Sequence, residues 1–432
     1  MSAQTAAQNP EAPTGKQLKP WKIILASCVG NTLEWYDIAI YAYFSVYLSK
    51  AFFPSDNEFV SLLLTLTTFA LSFFIRPIGA LVLGSYADRH GRKPGLTMTI
   101  TLMFIGTLIF VVTPPAHMIG LAAPLLIIVA RLIQGFAAGG EFGAATALMM
   151  EHLPDKKAFA ASWQFASQAV STIVAALIGV FLTTSLSAEA LESWGFRLPF
   201  LIGLLVGPAG LIIRRHVPES PEFDKSRAPE SGWQAVKEVF AHQKLRMLIA
   251  MGVLAVSTCL NYIITFIPTF AVKNLGLGPE TGFIAALAGG IVLFIFSPTA
   301  GILADRTNRF LMMVPAGLAI LLCVYGIFAW VQAVPLLSVL VILVSVLSLF
   351  KAFYYGPMAS VMADIFPAET RGTGLAFSYN LGVAIFGGLT PTIALWLTQV
   401  TGEAKSPSYW VMFSAALSLV SLAACWKKYG IK

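Results

Sequence analysis

Two basic, glycine-marked turns 217 positions apart constrain what this chain can fold into more than any other feature. The first is Gly84-Ser85-Tyr86-Ala87-Asp88-Arg89-His90-Gly91-Arg92-Lys93-Pro94, wedged between the apolar runs 61–83 and 95–112. A charged turn between two runs of near-spanning length describes a helical hairpin that crosses a bilayer and turns in water. The second, Gly301-Ile302-Leu303-Ala304-Asp305-Arg306-Thr307-Asn308-Arg309, is a weaker copy without the Gly-Arg-Lys ending. An offset of about half the 432 residues makes the chain two related halves. A second pair of connections repeats nearly in step. Glu151-His152-Leu153-Pro154-Asp155-Lys156-Lys157 and Asp364-Ile365-Phe366-Pro367-Ala368-Glu369-Thr370-Arg371 carry their prolines 213 positions apart. Two unrelated bundles with chance turns are the weaker account of both offsets.

A spanning helix needs roughly 20 apolar residues. The first half gives about six such runs, near 23–48, 59–84, 95–114, 121–149, 158–184 and 198–215. The second gives about six more, near 245–272, 281–303, 310–331, 334–362, 372–400 and 408–426. The predicted architecture is an all-α membrane protein of about twelve transmembrane helices in two pseudo-symmetric six-helix halves, 21–215 and 245–428. A polar central loop, 216–244, joins them, and a disordered tail over 1–20 precedes them. The tail has neither an apolar core nor a cleavage site, so it is not read as a signal peptide.

Charge supports the same picture. Only 11% of the residues are charged, against roughly a quarter in a soluble domain. The formal net charge of +7 would suggest nucleic acid in a soluble protein, but positive residues kept on the cytoplasmic side explain it better. With both termini and every even-to-odd connection cytoplasmic, 21 of the 28 lysines and arginines lie inside. Four (Lys50, Arg197, Lys273, Lys405) lie outside and three lie within spans. The cysteines Cys28, Cys259, Cys323 and Cys425 fall in apolar runs without CxxC spacing, so neither disulfide nor metal nor cofactor is expected. An intramembrane enzyme is disfavoured: there is no HExxH, no GxSxG, and the five histidines fall at loops or span ends.

A charge at mid-bilayer costs at least about 2.5 kcal/mol, so each one points to a function. The first span carries Glu34 and Asp37, which at i and i+3 share one helix face. The second carries Arg76, eight residues before Gly84 and so roughly 12 Å below the turn. The fourth carries Arg131 and Glu141, and the tenth Lys351. Structural ion pairs would explain about half of these. The other account is proton coupling. Low dielectric favours a neutral carboxyl and a nearby arginine favours the charged form, so a motion that separates them admits a proton. Asp37 or Glu34 with Arg131 is the pair expected to do this.

Neutral polar groups at spanning depth include Gln164 and Gln168, one face at i and i+4, with Asn261-Tyr262 and Tyr379-Asn380. They serve either as hydrogen bonds between helices or as donors to a polar substrate. Gly135, Gly139, Gly140 and Gly143 have the small-xxx-small spacing of close helix packing.

The turn from Gly84 to Lys93 resembles the cytoplasmic loop after helix two of the major facilitator superfamily. More narrowly, five stretches resemble the metabolite–proton symporter family. They are Gly30-Asn31…Glu34-Trp35-Tyr36-Asp37, Arg76-Pro77-Ile78-Gly79, Arg131…Gln134-Gly135-Phe136…Gly139-Gly140-Glu141, Trp194-Gly195-Phe196-Arg197-Leu198-Pro199-Phe200, and Pro218-Glu219-Ser220-Pro221-Glu222-Phe223. Ser162 to Gln168, Ala384 to Pro391, and Gln399 to Gly402 followed by Ser406-Pro407 are most similar to the citrate–proton and tricarballylate–proton symporters. Relatives carrying dicarboxylates, shikimate, or proline and betaine share the first five stretches. The chain departs by placing Lys351 where small or neutral residues are usual, by Trp35-Tyr36 at the aromatic pair, and by its plainer second turn.

The resemblance implies a monomeric, multi-pass protein of the bacterial inner membrane with both termini cytoplasmic. Its partners would be a small organic acid, protons and the bilayer, with no nucleic acid. It would import citrate or a related tricarboxylate with protons by alternating access. Arg76, Arg131 and Lys351 would attract carboxylates, while Asn31, Gln134, Gln164, Gln168, Tyr262 and Asn380 would hydrogen-bond them. Glu34, Asp37, Arg131 and Glu141 would couple the proton. Gly84, Asp88, Arg89, Gly91 and Arg92 with Asp305 and Arg306 would form the cytoplasmic gate. Another carboxylate or a zwitterionic osmolyte stays open as cargo, since three acids facing three bases suit a zwitterion as well.

Overall fold

The computed structural model describes residues 20–90, 92–139, 156–204, 232–367 and 370–431. Among these, every regular element is a helix. In the first half, α1 (Pro20–Tyr43) continues past Phe44 as α2 (Ser45–Phe52). Helices α3 (Glu58–Phe74) and α4 (Arg76–His90) make one span, followed by α5 (Arg92–Val112), α6 (Ala122–Ala138) and α7 (Lys157–Ser185). Helix α8 (Gly232–His242) leads into the second half: α9 (Lys244–Lys273), α10 (Pro279–Arg306), α11 (Arg309–Ala333) and α12 (Leu337–Asp364). Then come α13 (Arg371–Val383), α14 (Thr390–Thr401) and α15 (Pro407–Tyr429).

Among the described residues eight helices are long and apolar enough to cross a membrane, and the second half supplies six of them, ending close to the predicted limits. Shorter apolar helices, Thr97–Val112, Ala122–Ala138 and Gly195–Leu204, occupy the third, fourth and sixth predicted runs of the first half. Leu322 (76% exposed) and Leu311 (70%) stand on the outside of α11, where only lipid makes such exposure inexpensive. Nearly all of the tail over 1–20 and most of the central loop 216–244 lie outside the described residues. The end of that loop is helical: Val239 of α8 is buried, and the Phe240 ring meets the edge of Phe377 at 5.2 Å.

Two irregularities position the site. Pro77 has no N–H and crowds the carbonyl four residues back, so the second span breaks at Ile75 and restarts at Arg76. The N–H groups of Ile78 and Gly79 both turn to the Ile75 carbonyl at 3.1 Å. In the eleventh span a π turn, Ala384–Gly388, separates α13 from α14, and the Leu389 N–H closes it on the Ala384 carbonyl at 3.3 Å. Its two glycines allow close approach. A Cβ on Gly387 would fall 2.5 Å from the Tyr262 ring, and one on Gly388 2.8 Å from Phe73.

Close packing holds the bundle elsewhere. A Cβ on Gly135 would meet the Ser72 carbonyl oxygen at 1.9 Å, and one on Gly139 that of Arg76 at 2.1 Å. Gly135 and Gly139 therefore seat α6 against the broken second span, as their spacing suggests, while Gly140 and Gly143 lie outside the described residues. The halves meet along α7 and α10, where Gly301 fits against Ser162 and Gly290 against Ile173. They also meet where α3 touches the π turn.

Candidate functional site

Five charged side chains are buried among the described residues: Glu34, Asp37, Arg76, Arg131 and Lys351. Four belong to the first half and line one small cavity of about 10 Å³, together with Ser72 and Gln134. Glu34 of α1 pairs with Arg76 at 3.2 Å, both nearly excluded from solvent. The Arg76 guanidinium also lies over the Phe73 ring, 4.4 Å from its centre.

The ion pair expected between Arg131 and Glu34 or Asp37 takes a different form. Arg131 donates to Gln134 Oε1 at 3.0 Å and to Ser72 Oγ at 2.8 Å, with its guanidinium over Tyr41 (4.5 Å) and Phe69 (5.2 Å). The glycine seat of α6 on α3 sets Arg131 beside Ser72, while the proline break frees Arg76 to reach α1. Asp37 connects to Arg131 indirectly. Its Oδ2 accepts from Thr107 of α5 at 2.9 Å, Thr107 Oγ1 accepts from Gln134 Nε2 at 3.1 Å, and Gln134 accepts from Arg131. Every donor in this chain points from the arginine toward the carboxylate. Thr107 was not a candidate on sequence, because a threonine in an apolar run is ordinary. Its hydroxyl also lies 3.0 Å from the Met103 carbonyl, a second acceptor within its reach.

The neutral groups divide. Asn31 joins helices: it donates to the Gln164 carbonyl at 2.8 Å and to Ser167 Oγ at 2.6 Å, and accepts from Gln164 Nε2 at 3.0 Å. Asn380 donates to its own helix, at the Ala376 carbonyl, 3.0 Å away. Others keep unused capacity in the buried interior: Gln164 Oε1, both side-chain polar atoms of Gln168, the Tyr262 hydroxyl, and Nε of Arg76 and of Arg131. Tyr262 sits at the seam, its ring 5.2 Å from Phe73 and 6.1 Å from Trp35 of the first half. Lys351 of α12 donates to Asn261 Oδ1 at 2.5 Å, with its ammonium 5.1 Å from the Tyr355 ring centre. Tyr355 in turn packs against Phe165 of α7, ring centres 4.0 Å apart.

Both ends of the seam carry contacts between halves. At the predicted cytoplasmic end, Asp305 of the second turn accepts from the backbone N–H groups of Ala158 and Phe159, each at 2.9 Å. A carboxylate over the first turn of α7 meets unpaired N–H groups and the positive end of the helix dipole. Arg306 is exposed, Gly84 borders open space, and Asn308 caps α11 through the Phe310 N–H at 2.8 Å. Arg309 pairs with Asp364 at 2.7 Å, a contact within the half. Glu141, Gly91 and the side chains of Asp88, Arg89 and Arg92 lie outside the described residues. At the other end, Ser45 and Thr269 share a hydroxyl hydrogen bond of 2.8 Å, Phe44 and Tyr43 pack on Phe283, and Lys273 pairs with Glu58 at 2.7 Å. Ser45, Glu58 and Thr269 carry no signal in the sequence that would single them out.

Residues 27–345 match the profile of the Major Facilitator Superfamily, and the chain belongs to that superfamily. It is 36% identical over 406 residues to a citrate–proton symporter of Salmonella typhi, covering 93% of this chain and 92% of that protein. A citrate–proton symporter of Klebsiella pneumoniae is also 36% identical, over 405 residues, covering 93% and 90%. A proline/betaine transporter of Escherichia coli (strain K12) is 30% identical over 424 residues, covering 93% and 82%. Among solved structures, a D-xylose–proton symporter superposes with a TM-score of 0.71 at 19% identity, covering 94% of this chain and 97% of that one. That likeness is one of fold.

Proposed function

We propose that the chain is a proton-coupled symporter that carries citrate or a related tricarboxylate by alternating access between its two halves. The observation that carries the reading is the buried first-half network. Two carboxylates and two guanidiniums share one cavity, and a directed hydrogen-bond chain joins Asp37 to Arg131. The cargo is inferred from the citrate–proton symporters that this chain resembles over nearly its whole length.

The geometry suggests how a proton is felt. With Asp37 charged, Thr107 donates to it and completes the chain from Arg131. A proton on Asp37 makes it a donor, so the Thr107 hydroxyl turns to the Met103 carbonyl. The chain from Arg131 then ends on a neutral carboxyl, so the guanidinium keeps its bonds to Gln134 and Ser72 but is less compensated in charge and attracts a substrate carboxylate more strongly. Arg76, held by Glu34 but with its Nε unpartnered, supplies the second guanidinium. Both termini and the Asp305 latch face the cytoplasm in this reading. Moving one net positive charge inward down 100 mV releases about 2.3 kcal/mol, which drives accumulation.

A second reading, carriage of a zwitterionic osmolyte, draws on the proline/betaine transporters at 30% identity and on the Glu34–Arg76 pair, which offers both signs. Another carboxylate, such as a dicarboxylate or shikimate, is the nearer variation. One experiment separates these. Proteoliposomes with an inwardly directed proton gradient should accumulate labelled citrate, and unlabelled tricarballylate should compete while betaine should not. Citrate uptake indifferent to the gradient would end the symport reading.

A further inference from the structure

Among the described residues the buried charges do not balance: three buried cations face two buried carboxylates, and both carboxylates lie in the first half. Lys351 is the cation left over. It is 1% exposed and makes no ion pair among the described residues; its partners are the neutral Asn261 amide and the Tyr355 ring. A buried ammonium without a counter-charge is unfavourable unless an anion joins it. Polar groups on the same two helices keep hydrogen-bonding capacity unused. Tyr262 of α9, next to Asn261 in the chain, and Ser348 of α12, one turn before Lys351, hold buried hydroxyls with no partner. Gln168 is equally unpartnered and adjoins Ala169, which packs with Ala352 beside the lysine. A continuous path leads back to the first half: Lys351 to Asn261, then Tyr262, then the Phe73 ring, then Arg76.

We propose that Lys351 is the second half's anchor for a substrate carboxylate and that it selects anions with several carboxylates over substrates with one. The inference rests on the carboxylate reading above and deepens it. One carboxylate is held by a first-half guanidinium and another by Lys351, so the cargo bridges the seam. A zwitterion with a single carboxylate fills one anchor and leaves the other cation bare. Asn261 keeps the ammonium aimed while the site is empty, because a neutral acceptor orients it without neutralising it.

Binding to the purified full chain in detergent tests this with citrate, tricarballylate and betaine as probes. Lys351→Gln should weaken citrate and tricarballylate roughly 10- to 100-fold, the loss of one charge-assisted contact. Betaine should change little, so the preference between anion and zwitterion narrows. Lys351→Arg should recover most of the anion affinity. Asn261→Asp supplies an independent arm: it leaves the lysine in place but gives it a counter-charge, and should weaken citrate comparably. Citrate affinity unchanged in Lys351→Gln, or in Asn261→Asp, overturns the proposal. So does a loss equal for all three probes that arginine does not restore, which marks a structural lysine. A wild-type chain that binds neither citrate nor tricarballylate overturns the carboxylate reading itself and is told apart by that first measurement.

Discussion

The two halves descend from one pattern yet treat buried charge in opposite ways. In the first half each cation is answered: Arg76 by Glu34 directly, and Arg131 by Asp37 through Gln134 and Thr107. In the second half a single ammonium rests on an amide and a ring. Removing one member of a closed pair leaves a charge stranded, whereas removing a charge already unanswered strands nothing. The first half therefore has the makings of a switch, whose state depends on a proton. The second has the makings of a fixed anchor. A fold repeated twice has kept its turns and divided its chemistry.

The largest expected effect lies on the switch. Asp37→Asn can neither take up nor release a proton, so citrate accumulation driven by one net charge at 100 mV, about 50-fold, should fall to the equilibrium level. Citrate exchange across proteoliposomes should persist. Accumulation at the wild-type level would remove Asp37 from coupling and dissolve the contrast between the halves. Next in size is a stability comparison. Glu34→Gln strands Arg76 and should lower unfolding free energy by about 3–5 kcal/mol, while Lys351→Met should leave the thermal midpoint without substrate unchanged or raised. Equal losses in the two variants would show that the ammonium has a counter-charge after all.

Smaller effects come from the ends of the seam. Asp305→Ala removes the carboxylate that accepts from two backbone N–H groups at the start of α7, worth about 1 kcal/mol. Alkylation of a cysteine placed at Ser162, under Gly301 on that seam, should then run about fivefold faster. The pair Lys273–Glu58, at the opposite end of the seam from Asp305, is solvent-exposed on the glutamate side, so Glu58→Gln should shift the thermal midpoint least, by an amount equivalent to under about 1 kcal/mol. That shift should fade at high salt. A larger effect at Glu58 than at Asp305 would reverse which end is held more firmly.

Architecture was readable because it depends on runs and offsets. The second-half spans end close to where hydropathy put them, and the Gly135 and Gly139 packing follows from spacing alone. The buried charges were readable because an arginine or aspartate inside an apolar run has few innocent explanations. Their partners were not. Residue spacing says which face of α1 holds Glu34 and Asp37, but the proline break at Ile75 decides that Arg76 rather than Arg131 meets Glu34. Residue type and depth make Asn31 a candidate substrate contact but do not show that its amide donates to the Gln164 carbonyl and to Ser167. Thr107 joins the network only because α5 and α6 lie side by side there.

The π turn at Ala384–Gly388 has a consequence for the phase of its helix. One residue advances an α-helix by about 100°, and a π turn takes up one residue more than the α-helical pattern would. The part of the eleventh span after the π turn is therefore rotated relative to what Tyr379 and Asn380 would dictate. That rotation brings Thr390 to the Trp410 indole, whose N–H donates to it at 2.8 Å. Were the same residues to run through in α geometry, α14 would turn by about 100° about its axis. Thr390 would leave Trp410, and a different face would be presented to α3. The wide turn thus acts as a phase shifter, allowing one continuous span to serve Tyr262 at mid-depth and α15 farther out, with two helical faces that an unbroken helix could not align.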